Sequence, residues 1–141
     1  MLIKCTSKEL DMMARLMRSE ALSDGNIGMI LVGDVIINRA LANCYTFKNI
    51  RTIEDVIKQS PGGFSGVKSS LYIGSSTTKE KELAKKCLKG DLRHPAEHAL
   101  WFYAPKKSED CKNTWYDQNL AGKFKSHCFY EPEKDICHEV Y

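Results

Sequence analysis

One apolar stretch, from Ile27 to Ala42, limits the folds open to this chain more than any other part of its sequence. Its spacing predicts a helix with apolar side chains on nearly every face, which is typical of a helix buried in the middle of a domain. Gly28, Gly33 and Asp34 interrupt it, and it is shorter than the roughly 20 apolar residues that cross a membrane. We therefore expect a helical core built around this segment, and no membrane partner.

Three further helices are indicated by their start and stop signals. Thr6 and Thr77 each begin a capping-box pattern, in which a glutamate three residues later completes the cap of a helix. A short helix is expected before the turn residues Pro61, Gly62 and Gly63, which would end it. The predicted helices run from Ser7 to Leu22, from Ile27 to Ala42, from Thr52 to Gln59 and from Thr77 to Lys89.

The last third of the sequence is richer in aromatic residues and loses the helical spacing. Short strands are predicted from Ala99 to Tyr103 and from Lys125 to Tyr130, with residues 110–119 as a connecting loop. At 141 residues, the chain has room for one compact domain. We expect a single domain, residues 1–141, of the α+β class: mainly α, with a helical core and a small antiparallel hairpin.

The charge balance is mild, since 21 Lys and Arg against 18 Asp and Glu give a net charge of +3. That is too small for a dedicated nucleic-acid binder, although it suits an anionic polymer such as cell wall. A helix-turn-helix arrangement is disfavoured because the second helix is too apolar to lie in a DNA groove. The start of the chain also lacks the apolar segment of a signal peptide.

Six cysteines are more than a cytosolic enzyme usually carries, which favours oxidation at a late stage or outside the cell. Cys5 and Cys87 fall on helical patterns and are expected to be free thiols. Cys111, Cys128 and Cys137 lie in the loop-rich end, where a disulfide would help most. The sequence does not decide the pairing. Because no Cys-x-x-Cys pair occurs, no bound metal is expected.

Glu20, near the end of the first predicted helix, is the leading candidate for a catalytic residue. It shares a helical stripe with Leu16 and Met17 and is therefore expected to point inward. Burial against apolar side chains would raise the pKa of its carboxyl, which could then hold a proton near neutral pH and act as a general acid. The alternative is a solvated glutamate paired with Arg15 or Arg18, and spacing alone does not separate the two.

Polar residues inside the apolar helix need a partner or a function. These residues are Asp34, Asn38 and Arg39, of which Asp34 and Asn38 lie one turn apart. They either line a cleft beside Glu20 or belong to a polar network in the core, and the network is favoured. Asp24 and Asp34 are the further carboxyls that a hydrolytic mechanism could use.

Aromatic residues concentrate in the predicted strands and the loop between them. Alternation along a strand turns every second residue inside, so Phe102 and Phe129 are expected in the core. His127 is expected to be a structural hydrogen-bond partner. Three other side chains are candidates for platforms on which sugar rings stack: Trp101, Tyr103 and Trp115.

Four segments form an ordered set of motifs: Met13–Ala21, Val35–Arg39, Gln59 with Phe64-Ser65, and Lys125–Tyr130. Together they resemble the SleB/CwlJ family of spore cortex-lytic cell-wall hydrolases. The resemblance covers nearly the whole chain. The pair Asn43-Cys44 and the Lys125–Tyr130 motif make it most similar to the CwlJ branch.

This resemblance implies a lysozyme-like catalytic domain that cleaves cortex peptidoglycan beside muramic-δ-lactam during germination, with Glu20 as the catalytic residue. It also implies that the region of Asn38, Gln59, Phe64 and Trp101 forms the cleft wall. With the residues beside these motifs and the aromatic candidates, the expected substrate contacts are Asn38, Gln59, Phe64, Ser65, Trp101, Tyr103, Trp115, His127 and Tyr130. Members of the CwlJ branch are made in the mother cell without a signal peptide and placed in the spore coat. The resemblance therefore implies a coat location, a coat protein as partner, and calcium dipicolinate as an activator with no other cofactor.

The number of usable carboxyls bears on the mechanism. A glycosidase needs two carboxyls that flank the bond, whereas a lytic transglycosylase can use one. The sequence offers one strong candidate, Glu20, so we favour a lytic transglycosylase. The alternatives are a hydrolytic glycosidase with Asp24 or Asp34 as second carboxylate, and a non-enzymatic, disulfide-linked coat or glycan-binding protein.

Overall fold

The computed structural model describes residues 3–60 and 63–141. Within these residues the helices are α1 (Ser7–Ala21), α2 (Gly25–Leu41), α3 (Ile53–Lys58) and α4 (Thr78–Leu88). The strands follow as β1 (Trp101–Tyr103), β2 (Thr114–Trp115), β3 (Gln118–Phe124) and β4 (His127–Glu131). Helices thus precede an antiparallel sheet, and the predicted class, α+β and mainly α, is confirmed.

α2 lies at the centre of the helical core, as its composition predicts. Every residue from Gly28 to Ala40 is buried, and the helix packs against α1, α3 and α4. At Gly33, an added Cβ would lie 2.5 Å from the Sγ of Cys87 in α4 and 3.1 Å from the side chain of Met17 in α1. The absence of a side chain there lets both helices approach α2 closely. Among the described residues, no helix is long and apolar enough to cross a membrane.

Both predicted capping boxes are confirmed. The Thr6 hydroxyl accepts the N–H of Glu9, whose carboxylate accepts the N–H of Thr6, each at 3.1 Å. Thr77 and Glu80 make the same exchange at the start of α4. Each pair satisfies backbone donors that the first turn of a helix leaves free, which is why α1 and α4 begin where the sequence predicts.

The other helix boundaries differ from the prediction by one or two residues. α2 begins two residues early, because Gly25 adopts a φ of +78° and turns the chain directly out of a 3₁₀ turn at residues 22–24. α3 ends at Lys58, one residue before the predicted end at Gln59. The predicted stop residues Pro61 and Gly62 lie outside the described residues.

The predicted hairpin is a four-stranded antiparallel sheet, with the order β1-β4-β3-β2. β1 pairs with β4, so that Trp101 lies opposite Tyr130. The loop predicted at residues 110–119 was wrong, since it contains β2 and the start of β3. β3 reads Gln-Asn-Leu-Ala-Gly-Lys-Phe, and a register shift between Leu120 and Gly122 breaks its alternation. Without a period of two, the sequence carries no strand signal there.

Two disulfides join the sheet region to itself and to α2. Cys111 bonds to Cys128 in β4, and Cys44, just after α2, bonds to Cys137 near the C-terminus. The three cysteines predicted to form covalent links in the C-terminal end all do so. Cys5 and Cys87 are free thiols, as predicted, although only Cys87 is fully buried.

Candidate active site

A cleft of about 840 Å³ opens where the end of α1, the loop at residues 63–65 and the sheet meet. One of its walls is aromatic and belongs to β1 and the β2–β3 turn. The cleft is lined by Glu20, Arg39, Thr46, Gly63, Phe64, Ser65, Trp101, Phe102, Tyr103, Ala104, Trp115, Tyr116 and His127.

Glu20 places its carboxyl in this cleft. The hydroxyl of Ser65 donates to Oε1 over 3.5 Å, and the backbone N–H of Gly66 also donates to the carboxylate. Burial raises the pKa of Glu20 above its ordinary value. His127, the donors on Gly66 and Ser65, and Arg39 each lower that pKa, but their combined effect is smaller than the effect of burial. Such a carboxyl keeps its proton to a higher pH than an exposed glutamate does, which suits a general acid. The predicted inward orientation is confirmed.

The arginines that could have paired with Glu20 hold the neighbouring loop instead. Arg15 binds Asp11 at 2.9 Å and the carbonyl of Tyr72 at 2.9 Å. Arg18 donates to the carbonyl of Leu71 at 2.7 Å and, through Nη1, to Glu80 in α4 at 3.0 Å. The alternative of a solvated Glu20 paired with these arginines is therefore wrong. Both guanidinium groups fix the loop that follows residue 68 onto the helix that carries Glu20.

Gly66 lets the loop backbone approach the carboxyl of Glu20. A Cβ at this position would lie 2.5 Å from Oε1 of Glu20 and 2.7 Å from the hydroxyl of Ser19. Since ordinary contact begins at 3.4 Å, any side chain at this position would displace the Glu20 carboxyl and the Ser19 hydroxyl. The glycine thus lets the backbone N–H reach the carboxylate where it stands.

Arg39 forms part of the cleft floor from α2. Its guanidinium lies 4.1 Å from the ring centroid of Phe64 and 5.2 Å from that of Phe47, and Nε donates to the carbonyl of Leu100 at 2.8 Å. Burial lowers the pKa of Arg39 to about 9, while Glu20 opposes that shift. The guanidinium therefore remains cationic at neutral pH and makes a cation–π contact with the face of the Phe64 ring.

The predicted sugar platforms all line the cleft. Tyr103 and Trp115 have ring centroids 4.8 Å apart, and Trp101 packs edge-on against Tyr45 at 5.7 Å. These aromatic rings belong to β1, to β2 and to the 3₁₀ turn at residues 45–47. Each ring packs on another ring, which limits the rotamers open to it.

Of the two predicted core phenylalanines, one is fully buried and the other is packed against the core from its edge. Phe129 is 1% exposed and belongs to the core. Phe102 is half-buried and lines the cleft, stacked on Phe64 with centroids 5.7 Å apart. Phe102 also packs on Phe129, with ring centroids 5.8 Å apart, and against the core, so it takes the predicted side of β1 and lies at the border between core and cleft.

His127 lines the cleft and is held from behind by Asp24. Nδ1 of the ring lies 2.7 Å from Oδ2 of Asp24, and the hydroxyl of Ser126 lies 2.8 Å from each oxygen of the same carboxylate. Asp24 is 4% exposed, so this is a buried pair. The expected hydrogen-bond partner role of His127 is confirmed, and its ring also faces the cleft.

Three predicted contact residues lie outside the cleft. Asn38 is 1% exposed, and its amide donates to the backbone carbonyls of Ala96 and Ala99, so it fixes the segment before β1. Tyr130 is fully buried under Tyr103, where its hydroxyl donates to the carbonyl of Lys112.

Gln59 lines a neighbouring depression and donates to the hydroxyl of Thr46 at 3.3 Å. Inspection of the sequence could not separate these three residues from Phe64, Ser65 and the platforms, because polar and aromatic residues occur in cores as well as in clefts.

Neither candidate second carboxylate reaches the cleft wall. Asp24 is occupied by Ser126 and His127. Asp34 is fully buried on the other side of α2, where it accepts the N–H of Arg93, and it does not bond to Asn38. Among the described residues, no group of three His, Cys, Asp or Glu side chains could hold a metal ion.

The family model for cell wall hydrolases matches residues 23–130 of the chain. The chain belongs to the cell wall hydrolase family. Within that family it is similar to the cell wall hydrolase CwlJ of Bacillus subtilis, with 42% identity over 99% of this chain and 96% of that protein. CwlJ of Oceanobacillus iheyensis is 41% identical, over 99% of this chain and 97% of its own length.

Solved structures share the fold of this cell wall hydrolase. The catalytic domain of the Bacillus cereus SleB protein superposes with a TM-score of 0.71, at 20% identity, over 91% of this chain and 93% of that one. The catalytic domain of the germination-specific lytic transglycosylase SleB from Bacillus anthracis gives 0.70, at 21% identity, over 89% and 96%. The predicted lysozyme-like fold is thereby confirmed.

Sequence reasoning missed several residues of this site. Thr46 lines it and Gly66 shapes it, yet neither was singled out from the sequence. Arg39 was singled out as a charge inside an apolar helix, and of its two predicted placements the structure shows the cleft beside Glu20. No local sequence signal marks Gly66, since its role depends on a loop that returns to α1.

Proposed function

We propose that this protein cleaves the glycan of spore cortex peptidoglycan beside muramic-δ-lactam during germination, as a lytic transglycosylase with Glu20 as its single catalytic carboxyl. The observation that carries the proposal is a carboxyl with a raised pKa at the floor of a cleft with an aromatic wall. Aromatic rings bind sugar faces, and a protonated carboxyl can donate to a glycosidic oxygen.

The proposed reaction uses one carboxyl twice. Glu20 gives its proton to the glycosidic oxygen as the bond from that oxygen to the muramoyl C1 breaks. The C6 hydroxyl oxygen of the same muramoyl residue then bonds to C1 and closes a 1,6-anhydro ring. The proton released by that hydroxyl returns to Glu20, which restores the starting state. Because Asp24 and Asp34 lie off the cleft wall, a route with a single carboxylate is favoured over a two-carboxylate glycosidase.

The test is product analysis on spore cortex fragments that contain muramic-δ-lactam. The unmodified protein is expected to release fragments with anhydro-muramoyl ends, which are lighter by one water than the products of hydrolysis. Glu20→Gln should bind the fragments and release nothing. Glu82→Gln is the matched control, because Glu82 is exposed on α4 and lies outside the cleft. Fragments that have gained water would identify a glycosidase instead.

A non-enzymatic coat or glycan-binding protein is the second candidate, favoured by the aromatic wall and the two disulfides. The same experiment separates it from an enzyme. A binding protein would retain fragments with or without the Glu20 carboxyl, and neither form would release products.

The proposal extends to where and when the enzyme acts. We place it in the spore coat with a coat protein as partner, and two disulfides support an oxidising location. Calcium dipicolinate is the proposed activator. Release of fragments should rise when calcium dipicolinate is added to the purified protein, and dipicolinate with magnesium is the matched control.

A further inference from the structure

The cleft holds a second group that can carry a proton, and it lies on the sheet. His127 is at the start of β4, with its ring between Phe102 and Phe129 at centroid distances of 5.4 and 6.3 Å. Its side chain is 9% exposed and lines the same cleft as Glu20. The two neighbouring rings restrict the tilt of the imidazole.

Asp24 fixes which nitrogen of that ring carries the proton. A carboxylate only accepts hydrogen bonds, so Nδ1, at 2.7 Å from Oδ2 of Asp24, must be the donor. In a neutral ring Nε2 is then the acceptor. Nδ1 is turned toward Asp24 behind the cleft wall, so Nε2 is the nitrogen left to face a ligand. Ser126 donates to the same carboxylate and holds it in place.

We propose that His127, oriented by Asp24, accepts the proton of the attacking hydroxyl and returns it to Glu20. This inference rests on the proposed function and adds the path of the proton. As the C6 oxygen bonds to C1, its proton moves to Nε2 of His127, and the ring becomes an imidazolium beside Asp24. The imidazolium then gives that proton to the Glu20 carboxylate, so both groups regain their starting states. His127 is a catalytic residue in this scheme, and Asp24 is a positioning residue.

The relay has a consequence for the dependence of the rate on pH. Glu20 must begin protonated and His127 neutral, so kcat should fall on both sides of an optimum. If Glu20 acts alone, only the alkaline decline remains. The charged groups near His127 are Glu20 from α1, Asp24 before α2 and Lys125 in the turn before β4; Arg39 from α2 faces Glu20.

The experiment compares kcat and KM across pH for four proteins acting on cortex fragments. His127→Gln should lower kcat by about 10²-fold or more, leave KM unchanged and abolish the acid-side decline. Asp24→Asn keeps the size of the side chain and should lower kcat roughly tenfold or more, again at constant KM. His138→Gln is the matched control, because His138 is 77% exposed and lies outside the cleft, and it should behave as the unmodified protein does.

Several outcomes would overturn the relay. Native kcat in His127→Gln, or a reduced kcat whose acid-side decline persists, would leave His127 with a structural role only. If His127→Gln does not fold, unchanged kcat in Asp24→Asn overturns the inference alone. Failure of the unmodified protein to release any fragment would instead remove the proposed function on which the relay depends.

Discussion

The contact between Gly66 and Glu20 allows a mutation whose effect can be worked out from distances. In Gly66→Ala, the new Cβ would lie 2.5 Å from Oε1 of Glu20, whereas ordinary contact begins at 3.4 Å. The φ of Gly66 is not positive, so alanine fits the backbone and the strain falls on the carboxyl. The carboxyl must move by about 1 Å, and a displacement of that size costs about 10² in rate.

The assay is the rate of fragment release from cortex at saturating substrate, with thermal unfolding measured alongside. We expect Gly66→Ala to lose about 10² in kcat with little change in KM, because the aromatic wall is not touched. Gly74→Ala is the matched control. Gly74 has a φ of +84° and nothing within 4 Å of its Cβ position, so alanine should cost about 1 kcal/mol of stability and no activity. A Gly66→Ala protein with native kcat would refute the claim that this glycine positions the acid.

Further predictions concern binding, pH and oxidation. Trp115→Ala should weaken binding of cortex fragments about tenfold, measured by co-sedimentation in the Glu20→Gln background, and equal retention would remove Trp115 as a platform. Burial raises the pKa of Asp34 to about 7 from 3.8, so the folded state holds a proton that the unfolded chain releases at lower pH. The free energy of unfolding should therefore fall as pH rises toward 7, and urea titrations of Asp34→Asn should show a smaller fall. Replacing Cys111 and Cys128 with serine should lower that free energy by about 3 kcal/mol, and an unchanged denaturation midpoint would contradict this.

The helical half of the fold could be predicted because its signals are local. Capping at Thr6 and Thr77 involves residues three apart in sequence, and the burial of α2 follows from its own composition. β3 could not be predicted, since its pairing with β4 is what makes Gln118–Phe124 a strand. The same applies to the disulfides, whose partners are brought together only by the fold.

The candidate site likewise combines residues that a local sequence pattern predicts with residues that only the fold brings together. The inward direction of Glu20 follows from the helical stripe that it shares with Leu16, and the aromatic platforms follow from composition. Asp24 looked like a turn residue, and its bond to His127 joins positions 103 residues apart. No pattern within either segment predicts that pair.

The two disulfides are nested, and this determines what a protease could remove. The bond between Cys44 and Cys137 encloses the one between Cys111 and Cys128. One cut anywhere between residues 44 and 137 would therefore leave both fragments covalently joined, so the aromatic wall and His127 would survive nicking under oxidising conditions. α1, which carries Glu20, lies outside this closed loop, so after a cut between α1 and Cys44 only non-covalent contacts, such as the ion pair of Arg18 with Glu80, would retain it. Loss of that helix by proteolysis would leave a fragment that keeps the aromatic wall and lacks Glu20, the proposed acid.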